Sequence, residues 1–245
     1  MKKRIKMKFQ YVDILGIKFV DSTFEQMLGE LTNRIIQKRK TFVVTANPEI
    51  VMYAYENHNY KNILQSADYV VPDGTGIIFA SKMKKTPLKE RVTGFDLTMR
   101  LLQEANQNSW GVYVLGGKPE INKKAVENIG KQYPGLKLVG NQHGYFDWED
   151  STIVEKISSS KPDIVLVALG FPKQEQWTAL NQSSFSKGIF IGVGGTIDIL
   201  AGEAKRAPAI WRKLNLEWLY RLLKQPARWK RMLALPKFVR RVIKS

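Results

Sequence analysis

The second half of the chain repeats one local arrangement three times: a continuous apolar run, a glycine turn and a helical pattern. The apolar runs and their turns are Val112–Leu115 with Gly116 and Gly117, Asp163–Leu169 with Gly170, and Gly188–Val193 with Gly194 and Gly195. The helical patterns that follow are Pro119–Gln132, Pro172–Trp177 and Thr196–Leu200. A strand that is apolar along its whole length is buried on both faces, which is typical of a parallel sheet covered by helices. The repeat therefore predicts an α/β fold.

The first half of the chain carries patterns that fit the same sheet. Thr41–Thr45 predicts a strand, and Pro48 predicts a helix start because proline suits the first helical position. Tyr69–Val71 predicts a short strand that ends in the turn Pro72–Gly74. Further helical patterns cover Glu49–Glu56, Gly76–Met83 and Phe95–Gln107. We expect one α/β domain over residues 1–204, with a Rossmann-like parallel sheet.

Glycine turns at the ends of parallel strands predict a phosphate-bearing ligand such as a nucleotide. Glycine lets a ligand approach the backbone, and the next helix offers free N–H groups and the positive end of its dipole. In open α/β sheets the ligand lies outside the carboxyl ends of the strands. The alternative is that these glycines serve turn geometry alone. Neither G-x-G-x-x-G nor G-x-x-x-x-G-K-[ST] occurs, so the sequence predicts neither an ordinary dinucleotide site nor a Walker A loop.

The excess of positive charge is confined to the two ends of the chain. Of the 39 Lys and Arg residues, five lie in residues 1–8 and 13 lie in residues 205–245, where Glu217 is the single acid. The intervening body has 21 basic and 21 acidic residues and is neutral. Because the formal charge of +17 does not come from the body, it does not by itself indicate a nucleic-acid-binding domain. We expect no nucleic-acid partner.

Residues 205–245 form a basic appendage with amphipathic helical patterns. A helix is predicted over Ala209–Lys224, with apolar residues every three or four positions, followed by stretches Arg228–Leu235, stopped by Pro236, and Lys237–Lys244. Three of the six tryptophans lie here. Basic amphipathic helices that carry tryptophan are typical of segments that lie on an anionic membrane surface. The alternative is a packed helical hairpin with a solvated basic face.

Several classes of protein are excluded by what the sequence lacks. The absence of cysteine excludes a disulfide scaffold, an iron–sulfur site and a thiol nucleophile. No apolar run reaches the roughly 18–20 residues that a spanning helix needs, and the basic N-terminus has no following apolar region of a signal peptide. We therefore expect a cytoplasmic protein. The chain also lacks D-x-D, with which metal-dependent sugar-nucleotide transferases hold the cation on the diphosphate, so we expect no metal and no cofactor.

Three polar residues stand at predicted turns where α/β active sites lie. Asp73, in the turn V-P-D-G-T-G, is a candidate general base, although aspartate also forms turns and caps helices. Asn47 precedes Pro48 and suits either a helix cap or a hydrogen bond to a sugar. Arg91, in E-R-V-T-G, suits either a phosphate contact or a surface salt bridge.

Eight short blocks, in order, are similar to the WecG/TagA/CpsF family of bacterial glycosyltransferases. They are T-A-N-P-E-I-V (45–51), V-P-D-G-T-G-I (71–77), E-R-V-T-G-F-D-L (90–97), H-G-Y-F (143–146), G-F-P-K-Q-E (170–175), G-V-G-G-T-I-D-I-L-A-G (192–202), K-R-A-P (205–208) and L-E-W-L-Y-R-L (216–222). The resemblance covers roughly Leu15 to Pro226. Each block alone is weak evidence for membership of this family, whereas the eight blocks in the same order are specific to it.

The resemblance implies transfer of N-acetylmannosamine from its UDP donor to the 4-hydroxyl of N-acetylglucosamine on an undecaprenyl-diphosphate carrier. In the teichoic-acid branch of the family, this makes the disaccharide lipid of the linkage unit. The resemblance also implies inversion at the anomeric carbon without a metal. It implies an enzyme at the inner face of the plasma membrane, to which the basic C-terminal appendage docks.

The resemblance also implies roles for individual residues. Asp73 matches the proposed general base, Thr45 and Asn47 an active-site polar pair, Arg91 a substrate-phosphate ligand, and Gln174 the polar residue of the G-x-P-K-Q-E loop. The turn at Gly192, Gly194 and Gly195 resembles part of the nucleotide pocket. Arg221 matches an appendage arginine that helps the diphosphate, to which we add Arg206 and Arg212.

Other activities stay open at this point. The donor sugar is not fixed, because relatives also use N-acetylmannosaminuronic acid or other sugars in capsule and surface-polysaccharide assembly. A different class of protein, a non-enzymatic nucleotide-binding adaptor at a membrane or nucleic acid, also fits the charge pattern. Self-association into a homo-oligomer is not readable from the sequence.

Overall fold

The computed structural model of the chain describes residues 9–214, 216–224, 229 and 233–244, except for the side chains of Lys213 and Arg221. An antiparallel hairpin of β1 (Gln10–Ile14) and β2 (Ile17–Asp21) comes first. The remaining strands are β3 (Lys40–Ala46), β4 (Tyr69–Pro72), β5 (Gly111–Gly116), β6 (Lys137–Gln142), β7 (Ile164–Ala168) and β8 (Gly188–Gly192). These six form one parallel sheet in the order β4-β3-β8-β7-β5-β6.

Helices cover both faces of this sheet. In chain order they are α1 (Phe24–Ile36), α2 (Pro48–Glu56), α3 (His58–Ser66), α4 (Thr75–Met83), α5 (Gly94–Asn108), α6 (Pro119–Gln132), α7 (Ser151–Ser159), α8 (Lys173–Asn181) and α9 (Thr196–Leu200). Along β5, Val112 and Val114 pack in the core shared with α5 and α6, whereas Tyr113 and Leu115 pack in the core shared with α7 and α8. Successive residues of a strand face opposite sides, so a strand buried on both faces must be apolar throughout.

The predicted fold class is confirmed, and most predicted elements lie within a few residues of the observed ones. The hairpin β1–β2, the helices α1, α3 and α7 and the strand β6 were not predicted. Strand β6 lies at an edge of the sheet and its residues are exposed or half-buried, so it lacks the continuous apolar run that identified its neighbours.

The C-terminal segment differs from its predicted division into helices. The helix expected over 209–224 is divided into α10 (Ala209–Lys213) and α11 (Glu217–Lys224). Pro236 does not stop a helix; it lies in the first turn of α12 (Ala234–Ile243), where a missing N–H costs no intrahelical hydrogen bond. The predicted stretch Arg228–Leu235 lies mostly outside the described residues, as does the basic cluster at 1–8.

Helix α12 packs against the body of the protein. Phe238 and Val242 are buried in the core that α2 and α4 share with the sheet. The opposite face of the helix, including Arg240 and Ile243, is exposed. Within the described ranges, no helix is long and apolar enough to cross a membrane.

The connections of the sheet diverge between β5 and β7. After β5 the chain continues through α6 to β6, on one side, and after β7 it continues through α8 to β8, on the other. Neighbouring strands whose connections leave in opposite directions open a crevice at their carboxyl ends, which is where open α/β sheets bind ligands. Gly116 and Gly170 stand at the two sides of this crevice.

Gly116 allows β5 and β7 to meet closely at that point. Its φ is 113°, and a Cβ built there would overlap the backbone carbonyl of Ala168 on β7. Gly117 then donates its N–H to the Ala168 oxygen at 3.0 Å. Gly170 also has a positive φ, 77°, but a Cβ there would meet no atom within 4 Å. The two glycines are therefore required for different reasons, packing at Gly116 and backbone conformation alone at Gly170.

Helix α8 holds the turn after β8 through a buried side-chain network. The side-chain oxygen of Gln174 accepts the Gly194 N–H at 3.2 Å, and its Nε2 donates to Glu175 Oε1 at 2.7 Å. Glu175 is 2% exposed, and its Oε2 has no hydrogen-bond partner among the described residues. Burial raises the pKa of Glu175 to about 7. The hydrogen bond from Gln174 favours the ionised form and lowers this pKa, but burial has the larger effect.

We expect Gly116→Ala to destabilise the protein more than Gly170→Ala. The first change adds overlap with Ala168 to an unfavourable φ and should cost about 3–5 kcal/mol. The second adds only the conformational cost of about 1–2 kcal/mol. Urea unfolding of both variants measures the difference, and equal losses would contradict the close approach of β5 and β7.

We expect Glu175→Gln to flatten the pH dependence of stability. The folded chain keeps a proton on Glu175 between the ordinary carboxyl pKa of 4.5 and about 7, where the unfolded chain has lost it. The free energy of unfolding therefore falls as pH rises through this window, by at most about 1.4 kcal/mol per pH unit from this group. Denaturation of wild type and Glu175→Gln at pH 5, 6 and 7 measures the slope.

The exposed carboxylate of Glu25 supplies the matched control, because its side chain is 70% exposed. Glu25→Gln should keep the wild-type slope. If Glu175→Gln also keeps it, Glu175 is not the group that retains a proton in the folded chain.

Candidate active site

A cavity of about 910 Å³ opens at the carboxyl edge of the sheet. Residues that follow β3, β4, β5, β7 and β8 line it, together with residues of α11 and α12. It includes the crevice between β5 and β7. Its volume lies within the usual range for small-molecule sites.

Asp73 follows β4 and lines this cavity. Its backbone N–H donates to the Ala46 oxygen at 3.0 Å, and its Oδ1 accepts the N–H of Gly94, the first residue of α5, at 3.2 Å. The residue that caps α4 is Gly74, so Asp73 is not a helix cap. The structure thus holds a half-buried carboxylate at a helix N-terminus, where the dipole favours negative charge.

Arg91 joins the Asp73 turn to the C-terminal segment. Its Nε donates to the backbone oxygen of Asp73 at 2.5 Å, and its Nη2 lies 3.3 Å from Glu217 Oε2 on α11. The side chains of Arg91 and Glu217 are 23% and 9% exposed, so this ion pair is largely buried rather than on the surface. All three residues line the cavity.

Thr45 and Asn47 lie at the end of β3, beside Asp73. Asn47 caps α2, because its side-chain oxygen accepts the Ile50 N–H at 3.0 Å. Thr45 Oγ1 donates to the Gly192 oxygen at 3.4 Å and contacts the site where a Cβ of Gly94 would lie. Both residues line the cavity, and both also fix the backbone of its wall.

Five of the six predicted glycines line the cavity: Gly117, Gly170, Gly192, Gly194 and Gly195. Gly116 is not among the lining residues, since its role is the approach to β7. Gln174 also lines the cavity, and its amide lies against Gly192 and Gly194. Its observed contacts are those of a residue that holds the turn in place.

Two cavity lysines were missed by the sequence analysis. Lys118 and Lys173 are exposed and line the cavity next to the glycine turns, at the starts of α6 and α8. The sequence could have indicated both lysines, because Lys118 directly follows Gly117 and Lys173 lies three residues after Gly170. We call the part of the cavity that is lined by the glycine turns the glycine side. These cations, together with the helix N-termini, make the glycine side suited to an anion.

The three appendage arginines have different settings. Arg206 lines the cavity, forms a bidentate pair with Asp96 at 2.6 and 2.7 Å, and stacks on the Phe95 ring at 4.2 Å. Burial acts to raise the pKa of Asp96, but the hydrogen bonds from Arg206 and Thr93 outweigh it and lower that pKa. Arg212 is exposed, donates to the Ala207 oxygen and is not among the lining residues. Arg221 belongs to α11, and its side chain lies outside the described part.

The C-terminal helices and α4 give the cavity an apolar wall. Its residues are Phe79 on α4, Trp218 and Leu222 on α11, and Leu235 and Val239 on α12. Phe79 is 55% exposed, which is unusual for a phenylalanine next to a core. Phe79 was not predicted as a site residue, because a single apolar residue in a helical pattern does not indicate which face it occupies.

Within the described part of the chain, no group of three or more His, Asp or Glu side chains is placed to hold a metal ion. The four carboxylates that line the cavity are Glu49, Asp73, Asp198 and Glu217. Metal independence stays a prediction from the sequence.

Known proteins resemble the chain over nearly its full length. A family model described as glycosyl transferase WecG/TagA/CpsF family matches residues 12–245. A protein of Bacillus spizizenii named N-acetylglucosaminyldiphosphoundecaprenol N-acetyl-beta-D-mannosaminyltransferase is 38% identical over 229 residues, 93% of this chain and 89% of the relative. Proteins of the same name from Staphylococcus aureus strains MRSA252 and MW2 are 39% identical over 236 residues, 96% of this chain and 92% of each relative. The chain therefore belongs to the WecG/TagA/CpsF family of glycosyl transferases.

Proposed function

We propose that the protein transfers N-acetylmannosamine from UDP-N-acetylmannosamine to the 4-hydroxyl of N-acetylglucosaminyl-diphospho-undecaprenol. The names of the relatives supply the transferred sugar and the lipid-linked acceptor. One observation in the structure carries the proposal: a single cavity contains the Asp73 carboxylate, the glycine turns and an apolar wall. This reaction needs three things in one place: a base, a diphosphate site and a surface for a lipid-linked substrate.

Asp73 is the proposed general base. It accepts the proton of the acceptor hydroxyl as the hydroxyl oxygen forms its bond to the anomeric carbon of the donor. The bond between that carbon and the diphosphate oxygen breaks at the same time, and UDP leaves with the electron pair. Attack from the side opposite the leaving group gives inversion.

The glycine side of the cavity is the proposed donor site. Strands β4 and β8 are two strand spacings apart, about 10 Å, and β4 and β7 are three apart, about 14 Å. A sugar joined to a diphosphate spans distances of this kind. Lys118 and Lys173, with the backbone N–H of Gly195, are placed to stabilise the charge of the departing UDP. This arrangement supports departure of the diphosphate without a metal ion.

Arg91 is the proposed contact for the diphosphate of the acceptor. It lies on the Asp73 side of the cavity, opposite the glycine turns, and Glu217 and the Asp73 carbonyl hold its guanidinium in place. Arg206 supports the same side by binding Asp96 at the start of α5, close to the Asp73 contact with Gly94. The acceptor thereby presents its sugar to Asp73 and its lipid to the apolar wall.

We also propose that the protein works as a peripheral protein at the inner face of the plasma membrane. The acceptor named for the relatives is a membrane lipid. The C-terminal segment exposes several large apolar side chains, Ile210, Leu214, Leu223, Trp229, Leu233 and Ile243. It exposes basic residues beside them, Lys205, Arg212, Lys224, Lys237, Arg240, Arg241 and Lys244. Such a surface binds anionic lipid by burial and by charge together.

The test incubates the purified chain with UDP-N-acetylmannosamine and N-acetylglucosaminyl-diphosphate that carries a prenyl chain. We expect UDP release with stoichiometric formation of the disaccharide lipid, identified by mass spectrometry. Parallel reactions with UDP-N-acetylmannosaminuronic acid and UDP-hexoses test the other donors. Turnover of one of these in place of the proposed donor would contradict the sugar assignment.

Asp73→Asn should lower kcat by about 10²–10⁴. The amide keeps an oxygen to accept the Gly94 N–H, so the turn persists while the base is lost. The matched control is Asp13→Asn, because Asp13 likewise accepts a backbone N–H, that of Gly16, but lies on the hairpin β1–β2 outside the cavity. Loss of activity in both variants, or in neither, would refute the role of Asp73.

A further inference from the structure

A second groove lies on the exposed face of α12. It has a volume of about 490 Å³, and its exposed surface is almost entirely apolar. The lining residues are Leu235, Pro236, Val239, Arg240, Ile243 and Lys244. The sugar transfer proposed above does not involve Ile243, which was grouped there only with the exposed surface that binds anionic lipid.

The groove borders the active-site cavity. Leu235 and Val239 line both, and Ile243 lies four residues beyond Val239 on the same helix face. From Leu235 to Ile243 the helix rises about 12 Å. An apolar strip therefore leads from the wall of the cavity out along α12, over the length of a few isoprenoid units.

The strip belongs to a helix that is fixed in position. Phe238 and Val242, on the opposite face of α12, are 1% and 4% exposed and pack in the core with α2 and α4. Arg241 is held over the Tyr55 ring of α2 at 5.1 Å. A ligand that binds along the other face does not have to order the helix, so little binding free energy is lost.

The described residues that line the groove carry no negative charge that would repel an anionic lipid. Arg240 and Lys244 line its edges, and α12 contains no acidic residue. The groove floor is supplied by aliphatic side chains and offers no array of hydrogen-bonding groups, unlike a surface that recognises a peptide backbone. An apolar chain that leaves the cavity behind a diphosphate fits both the lack of acidic residues on α12 and the aliphatic floor of the groove.

We propose that this groove binds the first isoprenoid units of the acceptor lipid, next to its diphosphate. The inference rests on the proposed function, since that function supplies the polyprenyl diphosphate. Ile243 is the outermost contact of this subsite, and Leu235 and Val239 are its connection to the cavity. The enzyme thereby recognises the lipid itself and not only the sugar and the diphosphate.

The test compares the binding of farnesyl diphosphate and inorganic diphosphate by calorimetry, with the full chain in detergent-free buffer. We expect wild type to bind farnesyl diphosphate about 100-fold more tightly than inorganic diphosphate, because the tail buries apolar surface. Ile243→Asp and Ile243→Ser should each reduce this ratio about tenfold. The matched control is Ile210→Asp, since Ile210 on α10 is 67% exposed and Ile243 is 65% exposed.

Each outcome decides between occupants of the groove. A ratio that falls in the Ile243 variants and persists in Ile210→Asp supports the subsite. A ratio that is the same in wild type and all variants overturns it. In that case, loss of binding to anionic vesicles by the Ile243 and Ile210 variants alike would assign the strip to the bilayer. If wild type shows no sugar transfer but the ratio behaves as expected, the proposed function fails while the prenyl subsite stands.

Discussion

The close contact of β5 and β7 at Gly116 and Ala168 is the constraint on which the site depends. It brings two strand ends together at the point where their connections leave in opposite directions. The crevice that opens there continues along the carboxyl edge past β8 and β3 to β4. A parallel sheet thus places Asp73 and the glycine turns in one cavity, although more than 40 residues of chain separate Asp73 from the nearest of these turns, Gly116–Gly117.

The second organising interaction is the largely buried ion pair of Arg91 and Glu217. It connects the turn that carries Asp73 to α11, and α11 and α12 supply the apolar wall. An ion pair with so little exposure requires both partners, because either charge alone would be costly to bury. The single acid of the basic C-terminal segment therefore sits at the junction between that segment and the body.

Much of the fold was predictable because burial on both faces forces a strand to be apolar throughout. The runs that became β5, β7 and β8 are of this kind, and so the sheet and its glycine turns followed from the sequence. Strand β6 is exposed at an edge of the sheet, and the helix predicted over 209–224 is observed as the two helices α10 and α11. Neither feature is marked by a local apolar pattern.

The candidate site was predictable in part, because several of its polar residues stand at predicted turns. Asp73, Arg91 and Asn47 stand at turns, and their residue types and the family blocks identified them. What those side chains contact depends on distant residues: Gly94 for Asp73, and Glu217 for Arg91. Phe79 and Leu235 meet at the cavity only because α12 packs on α4, and no local pattern encodes that contact.

The division of the cavity into a donor side and an acceptor side is the central claim of this account. A crystal structure of the protein with bound UDP tests it most directly. We expect the diphosphate to contact the backbone at Gly195, with Lys118 or Lys173 beside it, and UDP to make no contact with Asp73. A diphosphate bound at Arg91, on the Asp73 side, or bound outside the cavity would contradict it.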